Sequence, residues 1–307
     1  MDATGHADAL IAPLLGRAVV STNARTGCAG SDEEVRRVLA EEIREATSRR
    51  RPIPSRGLFR APGFSVYTAL LEESDADRFA FDGREDLYGE LSPWQSVVLS
   101  TAGTCSTFEI AGVRLGSDKL DHFLDTGFRY LEAVELRGEE RALARGTGQE
   151  RSIYGLLTSK TFSWADLAAN YAGWRFYAGL LAPGSAFARD ERGCVEQVAP
   201  FRWRDHVTAE WDEVWNPPVY TRLVEEGVLQ RLERDRDAVC VSLSRWDPSG
   251  ERERWIGTLE DHPAYVGGPA PARRDPWQLA ALCDPDRVAP LAPWPVRPRK
   301  EVRSLYR

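Results

Sequence analysis

Charged residues and a histidine lie at helical spacing in GSDKLDHFLDTGFRYLEAVEL, residues 116–136. The polar stripe on this predicted helix consists of Asp118, His122, Asp125 and Arg129, and it lies nearly opposite the apolar residues. An imidazole beside a carboxylate can accept, donate or orient a proton near neutral pH. The stripe therefore predicts a polar cleft, although a solvated face with Asp118 near the positive end of the helix dipole gives the same pattern.

A second segment offers partners for this stripe. The sequence SWADLAANYAGWRFYAGLL, residues 163–181, is typical of a helix with Ser163 as its N-cap. Its polar or small positions recur at helical spacing and are Asp166, Asn170, Gly173 and Tyr177. The rest of the helix is apolar, which predicts burial, and a buried polar group without a partner costs about 1 to 3 kcal/mol. We therefore predict that the two stripes face each other, with Asp118, Lys119 and His122 as partners. For Asp166 a capping role alone is the alternative.

One isolated acid, Glu150, lies between these helices in the glycine-punctuated segment 145–162, which has no evident helix. Its apolar neighbours are Ile153, Tyr154 and Leu156. A carboxyl group in apolar surroundings can stay protonated and act as the general acid of glycoside hydrolysis, and a second carboxylate usually assists it. Asp166 or Glu139 could be that second acid, and His122 could orient either. The alternative interpretations of Glu150 are an ordinary exposed glutamate or an acid at the start of a helix.

Tryptophan is abundant, with ten in 307 residues. Indole rings stack well on sugars, although most tryptophans fill cores. The candidates for sugar stacking are Trp164, Trp174, Trp211 and Trp215.

The motif order also carries a family resemblance. Three motifs follow one another in the sequence: D-K-x-x-H-F, then an isolated Glu, then S-x-x-D-L-x-A-N-x-x-G. The residues at these positions are Asp118, Lys119, His122, Phe123, Glu150, Ser163, Asp166, Leu167, Ala169, Asn170 and Gly173. This order is similar to that of VanZ-like proteins and of YfiM-type envelope lipoproteins. The resemblance covers residues 116–181, about a fifth of the chain, and implies two packed helices with a polar centre in a cell-envelope protein. It implies no particular reaction, and this chain differs from VanZ-like proteins in lacking their apolar spans.

A looser likeness is to the lysozyme and lytic transglycosylase superfamily, in which a catalytic Glu precedes a Gly/Leu turn and a later helix. Here the matching pieces are Glu150, YGLLTS at 154–159 and NYAGWRFY at 170–177, with an Asn-to-Gly spacing one residue short. This likeness implies glycan cleavage by Glu150.

The composition and the lack of certain motifs argue against several classes of protein. With 40 basic and 47 acidic residues the net charge is −7, which argues against a nucleic-acid binder or a binder of anionic membranes. No run approaches the roughly 18 apolar residues of a membrane span, and the first 20 residues lack the basic start of a secretory signal. The compartment is extracytoplasmic if a signal has been removed and cytoplasmic otherwise. A phosphate loop and a nucleophile elbow are absent from the sequence.

Cysteine and histidine usage predicts no metal and no cofactor. The five cysteines are widely spaced without a C-x-x-C pair, so one or two disulfides are permitted but their pairing is open. Asp118 and His122, at i and i+4, lack an identified third ligand. His206 and His262 lie in charged stretches and are expected to be solvated.

The fold class predicted is mainly α. A helix over 31–51 begins with Ser31 and Glu34 as a capping box, further helices are predicted at 62–74 and 91–100, and a strand or hairpin at 104–116. We predict a helical core at 1–235 and a Pro/Arg-rich extension at 236–307, packed on the core, with one strand at 238–246.

These observations favour a bacterial cell-envelope protein, with cleavage of peptidoglycan as its most concrete activity and a glycan as its partner. The alternative is a non-catalytic envelope protein in which the polar residues form a structural or ligand-binding network. The sequence leaves the oligomeric state open.

Overall fold

The protein is mainly α-helical, as predicted. The computed structural model describes residues 2–48, 67, 91, 107–151, 161–213, 216, 218–220, 222–234, 236–237 and 240. The predicted helices at 62–74 and 91–100, the strand at 238–246 and the C-terminal extension lie outside the described residues, apart from isolated positions. None of the described helices is long and apolar enough to cross a membrane.

Seven α-helices and three two-stranded antiparallel sheets make up the described part of the chain. The helices are α1 (Thr4–Thr26), α2 (Asp32–Ser48), α3 (Asp118–Asp121), α4 (Gly127–Arg137), α5 (Glu139–Arg151), α6 (Trp164–Ala178) and α7 (Arg222–Arg234). The strands are β1 (Thr107–Ile110), β2 (Val113–Gly116), β3 (Thr161–Phe162), β4 (Phe187–Arg189), β5 (Val195–Gln197) and β6 (Val219–Tyr220). The pairs are β1 with β2, β3 with β6, and β4 with β5.

The first two helices pack against each other at the start of the chain. The sequence interpretation did not identify α1, whose buried positions recur at helical spacing: Ala7, Ile11, Leu14, Leu15, Ala18 and Thr22. The helix ends where Gly27 takes the left-handed conformation, with φ of 60°. The capping of α2 is confirmed, since the Ser31 hydroxyl accepts from the Glu34 N–H at 3.2 Å.

Disulfides join distant parts of the chain. Cys28, just after α1, is bonded to Cys194, which precedes β5, across 166 residues of sequence. Cys240 is also disulfide-bonded. Such a link restricts the unfolded chain and stabilises the fold by a few kcal/mol in the loop-entropy description.

The predicted hairpin is confirmed at residues 107–116. Strands β1 and β2 pair from Thr107 with Gly116 to Ile110 with Val113. Both residues of the turn, Ala111 and Gly112, have positive φ, as two-residue hairpin turns of type I′ require. The hairpin delivers the chain directly into α3.

The helix that opens the site is continuous but irregular. Between α3 and α4 it makes one π turn, His122–Thr126, and we call the whole stretch 118–137 the π-bulged helix. It packs on α6 with little space between the backbones: a Cβ added to Gly173 would lie 2.0 Å from the carbonyl oxygen of Phe123. The Tyr177 hydroxyl donates to the carbonyl of Leu124 at 2.7 Å, so a backbone group within the π turn is satisfied by a side chain.

Candidate functional site

A buried lysine lies at the centre of the candidate site. The Lys119 side chain is 3% exposed, and its ammonium is 2.9 Å from Asp118 Oδ2, 2.7 Å from Asp166 Oδ1 and 3.0 Å from Glu213 Oε1. The Ser163 hydroxyl lies 2.9 Å from the same oxygens of Asp166 and Glu213, and it also accepts from the Asp166 N–H as the N-cap of α6. Three carboxylates therefore share one ammonium.

His122 completes the contact between the two polar stripes. Its Nδ1 lies 2.9 Å from Asn170 Oδ1, and its Nε2 lies 3.2 Å from Asp166 Oδ2. An amide oxygen only accepts, so Nδ1 carries a proton. The predicted facing of the two stripes is confirmed for Asp118, Lys119, His122, Asp166 and Asn170.

Electrostatic interactions determine the protonation states of His122 and Asp166. Burial opposes the charged form of His122, but Asp166 and then Glu150 outweigh it and raise the pKa of His122 to about 10. Burial also opposes ionisation of Asp166, yet His122 and Lys119 hold its pKa far below the usual range. The pair is an imidazolium and a carboxylate at neutral pH.

Glu150 lies on α5, so the expectation that it has no helix around it is wrong. It is 5% exposed. Burial raises the pKa of Glu150 to about 8, with the negative charge of Asp166 adding to the effect and His122 opposing it. A carboxyl group with this pKa is mostly protonated at pH 7 and can donate a proton.

These residues border an open pocket of about 650 Å³. Its polar floor and nearest wall include Asp118, His122, Tyr130, Glu150, Asp166 and Asn170, and its outer part includes Arg129, Glu132, Arg137 and Arg145. The predicted cleft is therefore confirmed, and it is accessible from solvent.

Tyr130 is a pocket residue that the sequence interpretation missed. Its side chain is 4% exposed, and its hydroxyl lies near the Asn170 amide without a hydrogen bond of normal geometry to any described residue. A Cβ on Gly146 would collide with this hydroxyl, so glycine at 146 makes room for it. Burial raises the pKa of Tyr130, which keeps the phenol protonated. On an ideal helix Tyr130 lies near Phe123 at the edge of the apolar face, so the sequence carries no signal that it borders a pocket.

Glu213 is the other missed residue. It lies in EWDEVWNPPVY, residues 210–220, where the sequence suggested no chemistry, and it reaches Lys119 from a turn rather than from a helix. Helical periodicity could not have found it.

Several predicted residues do not reach the pocket. Glu139 is exposed at the other end of α5, about three turns from Glu150, so the structure does not bring it to the acid cluster. The side chain of Tyr177 is buried and bound to the Leu124 carbonyl, so it is a packing residue and not a pocket residue. Asp125, in contrast, does border the pocket, where it pairs with Arg129 at 2.6 Å and with Arg44 at 3.0 Å.

The tryptophan prediction is wrong for three of its four members. Trp164, Trp174 and Trp211 are at most 5% exposed, and none of them borders the pocket. Trp211 packs against Phe123, with 5.8 Å between ring centroids. These rings fill the core because an indole buries much apolar surface. Trp215 lies outside the described residues.

His206 is likewise not solvated as predicted. Its ring stacks on Phe201 with 4.8 Å between centroids and packs against Phe123 and Phe176. Burial lowers the pKa of His206 to about 4, so the imidazole is neutral. His262 lies outside the described residues.

A third candidate metal ligand comes from α6. Asp118, His122 and Asp166 each present one donor atom, and these atoms lie within 4.8 Å of one another. The sequence identified only the first two, because Asp166 lies on a different helix.

The arrangement combines a proton donor, an ionised acid and an imidazolium around a solvent-accessible cavity. Such a set can transfer protons to and from a polar ligand. The chain matches no known protein family, and no curated protein or solved structure is similar enough to be matched with it. The likeness to VanZ-like and YfiM-type proteins stays a prediction.

Proposed function

We propose that the protein is a cell-envelope hydrolase that cleaves glycan, with peptidoglycan as the substrate to test first and Glu150 as the general acid. The observation that carries the proposal is the position of Glu150, a buried carboxyl group in the wall of an open pocket. Burial of a carboxyl group costs free energy, and such groups with a shifted pKa occur preferentially at functional sites.

The proposed step needs two carboxyl groups with different protonation. Glu150 donates its proton to the glycosidic oxygen as the bond to the sugar carbon breaks, and a water molecule supplies the oxygen that replaces it. The Asp166 carboxylate, fixed by Lys119 and His122, stabilises the positive charge that develops on the sugar, and Glu150, now ionised, takes the proton of that water. The hydroxyl of Tyr130, which borders the same pocket, would bind a sugar hydroxyl.

Two further observations support an extracytoplasmic setting for this activity. The chain carries the Cys28–Cys194 disulfide and a second disulfide at Cys240, and disulfides persist in oxidising compartments. The resemblance to YfiM-type lipoproteins points to the same place.

The test is turnover of purified peptidoglycan by the wild type, Glu150→Gln and Glu140→Gln. Glu140 lies in the first turn of the same helix but is exposed and away from the pocket, so it controls for the exchange of Glu for Gln on α5. We expect Glu150→Gln to lose at least about 100-fold in kcat and Glu140→Gln to retain the wild-type rate. Equal activity of all three proteins, or none in the wild type, would contradict the proposal.

The second candidate is a non-catalytic envelope protein with a structural polar network. The observation that favours it is the mutual bonding of Asp118, Lys119, His122, Asp166 and Asn170. It predicts that His122→Ala lowers the melting temperature sharply and that no glycan is consumed. A melting temperature unchanged by this substitution would count against it.

A further inference from the structure

We propose that Asp118, His122 and Asp166 bind one divalent transition-metal ion, such as Zn²⁺ or Mn²⁺, at the floor of the pocket. This inference does not rest on glycan cleavage, because a metal ion can bind there whether or not Glu150 transfers a proton, although both proposals use Asp166. One oxygen from each aspartate and one imidazole nitrogen form a ligand set that Zn²⁺ and Mn²⁺ accept.

The spacing of the donor atoms fits a single ion. Bonds of about 2.0 to 2.2 Å place neighbouring ligand atoms roughly 3 to 3.5 Å apart. His122 Nε2 and Asp166 Oδ2 are separated by 3.2 Å, which is this spacing. The full set of donor atoms lies within 4.8 Å, so a small rotation of the Asp118 side chain, the most exposed of the three at 37%, brings the third donor into range.

The orientation of His122 also suits a ligand. Asn170 Oδ1 accepts the Nδ1 hydrogen, so Nε2 is the nitrogen that faces the acids, and a metal ion that binds Nε2 displaces its proton to solvent. Metal-binding histidines typically donate the hydrogen of their second nitrogen to such an oxygen, which fixes the ring and makes the ligand more basic. Asn170 is then the residue that positions the ligand.

Lys119 shapes the site without filling it. Its ammonium contacts Asp166 Oδ1, whereas the histidine contacts Oδ2, so the two oxygens of Asp166 are divided between the lysine and the donor cluster. Asp118, Asp166 and Glu213 together place three negative charges around the one ammonium. Once a metal ion displaces the Nε2 proton of His122, these three negative charges exceed the single positive charge of Lys119, and the excess favours a divalent cation on the pocket side.

A second, independent observation points to a ligand at this place. The Tyr130 hydroxyl is buried beside Asn170, Glu150 and Asp166 and has no hydrogen bond of normal geometry within the described residues. An unsatisfied buried hydroxyl costs about 1 to 3 kcal/mol. A water molecule or anion on the metal ion, projecting into the pocket, would provide its partner.

The test is calorimetric titration of ZnCl₂ and MnCl₂ into the full-length protein after treatment with a chelator. The variants are Asp118→Asn, His122→Gln and Asp125→Asn. Asp125 borders the same pocket but pairs with Arg44 and Arg129, so its variant is the matched control. We expect one ion per chain in the wild type, at least tenfold weaker binding in the two ligand variants, and binding within twofold of the wild type in Asp125→Asn.

Circular dichroism confirms that each variant is folded before titration. If His122→Gln does not fold, Asp118→Asn decides the question, because that side chain is partly exposed. Absence of one-to-one binding in the wild type would overturn the proposal, and so would equal affinities in the wild type and in every folded variant. Peptidoglycan is absent from this experiment, so a failed glycosidase assay leaves its result unaffected.

Discussion

The π-bulged helix contacts α6 along one stripe of α6, and the residues at the two ends of this stripe have different roles. At the start of α6, Asp166 and Asn170 bind Lys119 and His122 and border the pocket. Two turns further on, Gly173 and Tyr177 contact backbone carbonyls of the π turn and leave no space. A stripe at helical spacing thus identifies a shared face but not the role of each position on it.

The close-packed end supports the polar end. Gly173 lets the backbones touch beside Phe123, and this contact fixes the position of the π turn that begins at His122. Single π turns inside α-helices occur frequently at functional sites. The difference between the two ends can be tested by substitutions in each.

The largest effect on stability is expected at the polar end of the contact, from Lys119→Met. The substitution leaves the carboxylates of Asp118, Asp166 and Glu213 without their shared cation, and breaking a buried ion pair typically costs about 3 to 5 kcal/mol. Chemical denaturation should show a loss of this size in the free energy of unfolding. The surface pair of Arg25 with Glu41 and Glu42 is the control, and Arg25→Met should cost less than about 1 kcal/mol. Equal losses in both variants would show that the lysine cluster is as dispensable as a surface pair.

At the close-packed end, Gly173→Ala should destabilise the protein by about 3 kcal/mol. The new Cβ would lie 2.0 Å from the Phe123 oxygen, so the helices must move apart. Gly16 in α1 is the matched control, because a Cβ there has no atom within 4 Å, and alanine in a helix is favoured by up to about 1 kcal/mol. Denaturation curves of the two variants should shift in opposite directions. A shift of both in the same direction would show that the close contact is not required.

The pH dependence of stability tests the buried acid of the pocket. The pKa of Glu150 is about 8 in the folded protein and near 4.5 when exposed, so the native state holds the proton more tightly. Its contribution to stability is complete below about pH 4.5 and is lost as pH rises through 8, by at most about 1.4 kcal/mol per pH unit. Glu150→Gln should lack this decline and Glu140→Gln should keep it. Denaturation in chelator between pH 5.5 and 8.5 measures the difference, and parallel curves for the wild type and Glu150→Gln would contradict it.

The smallest effects on stability are expected from removing the hydroxyl groups of two buried tyrosines. Tyr177→Phe removes a hydrogen bond to the Leu124 carbonyl and should cost about 1 kcal/mol. Tyr130→Phe removes a buried hydroxyl that has no such bond, so it should raise the unfolding free energy by about 1 kcal/mol. Thermal denaturation of the metal-free protein compares them. A loss for Tyr130→Phe would show that its hydroxyl already has a structural partner.

Regular patterns predicted the parts of the site that lie on helices. Asp118 and His122 are one turn apart, as are Asp166 and Asn170, and burial of an apolar helix requires partners for its polar residues. The hairpin at 107–116 and the Ser163 cap were predictable for the same reason, since both depend on neighbours in sequence.

Other features could not be predicted in this way. Nothing local distinguishes Trp211 as a core residue from a surface platform, or His206 in a charged stretch from a solvated imidazole. Glu213 joins the lysine cluster from a turn, and its approach depends on how the chain after α6 folds back.

The sequence by itself determined that the protein is mainly helical and that two helices carry matching polar stripes, because side-chain periodicity and capping act over a few residues. Only the tertiary structure decided that the stripes meet around Lys119, that Glu150 is buried and keeps its proton, and that an open pocket lies over them. Burial and electrostatic interaction depend on which distant residues come together, and that information is not present in any single segment of the chain.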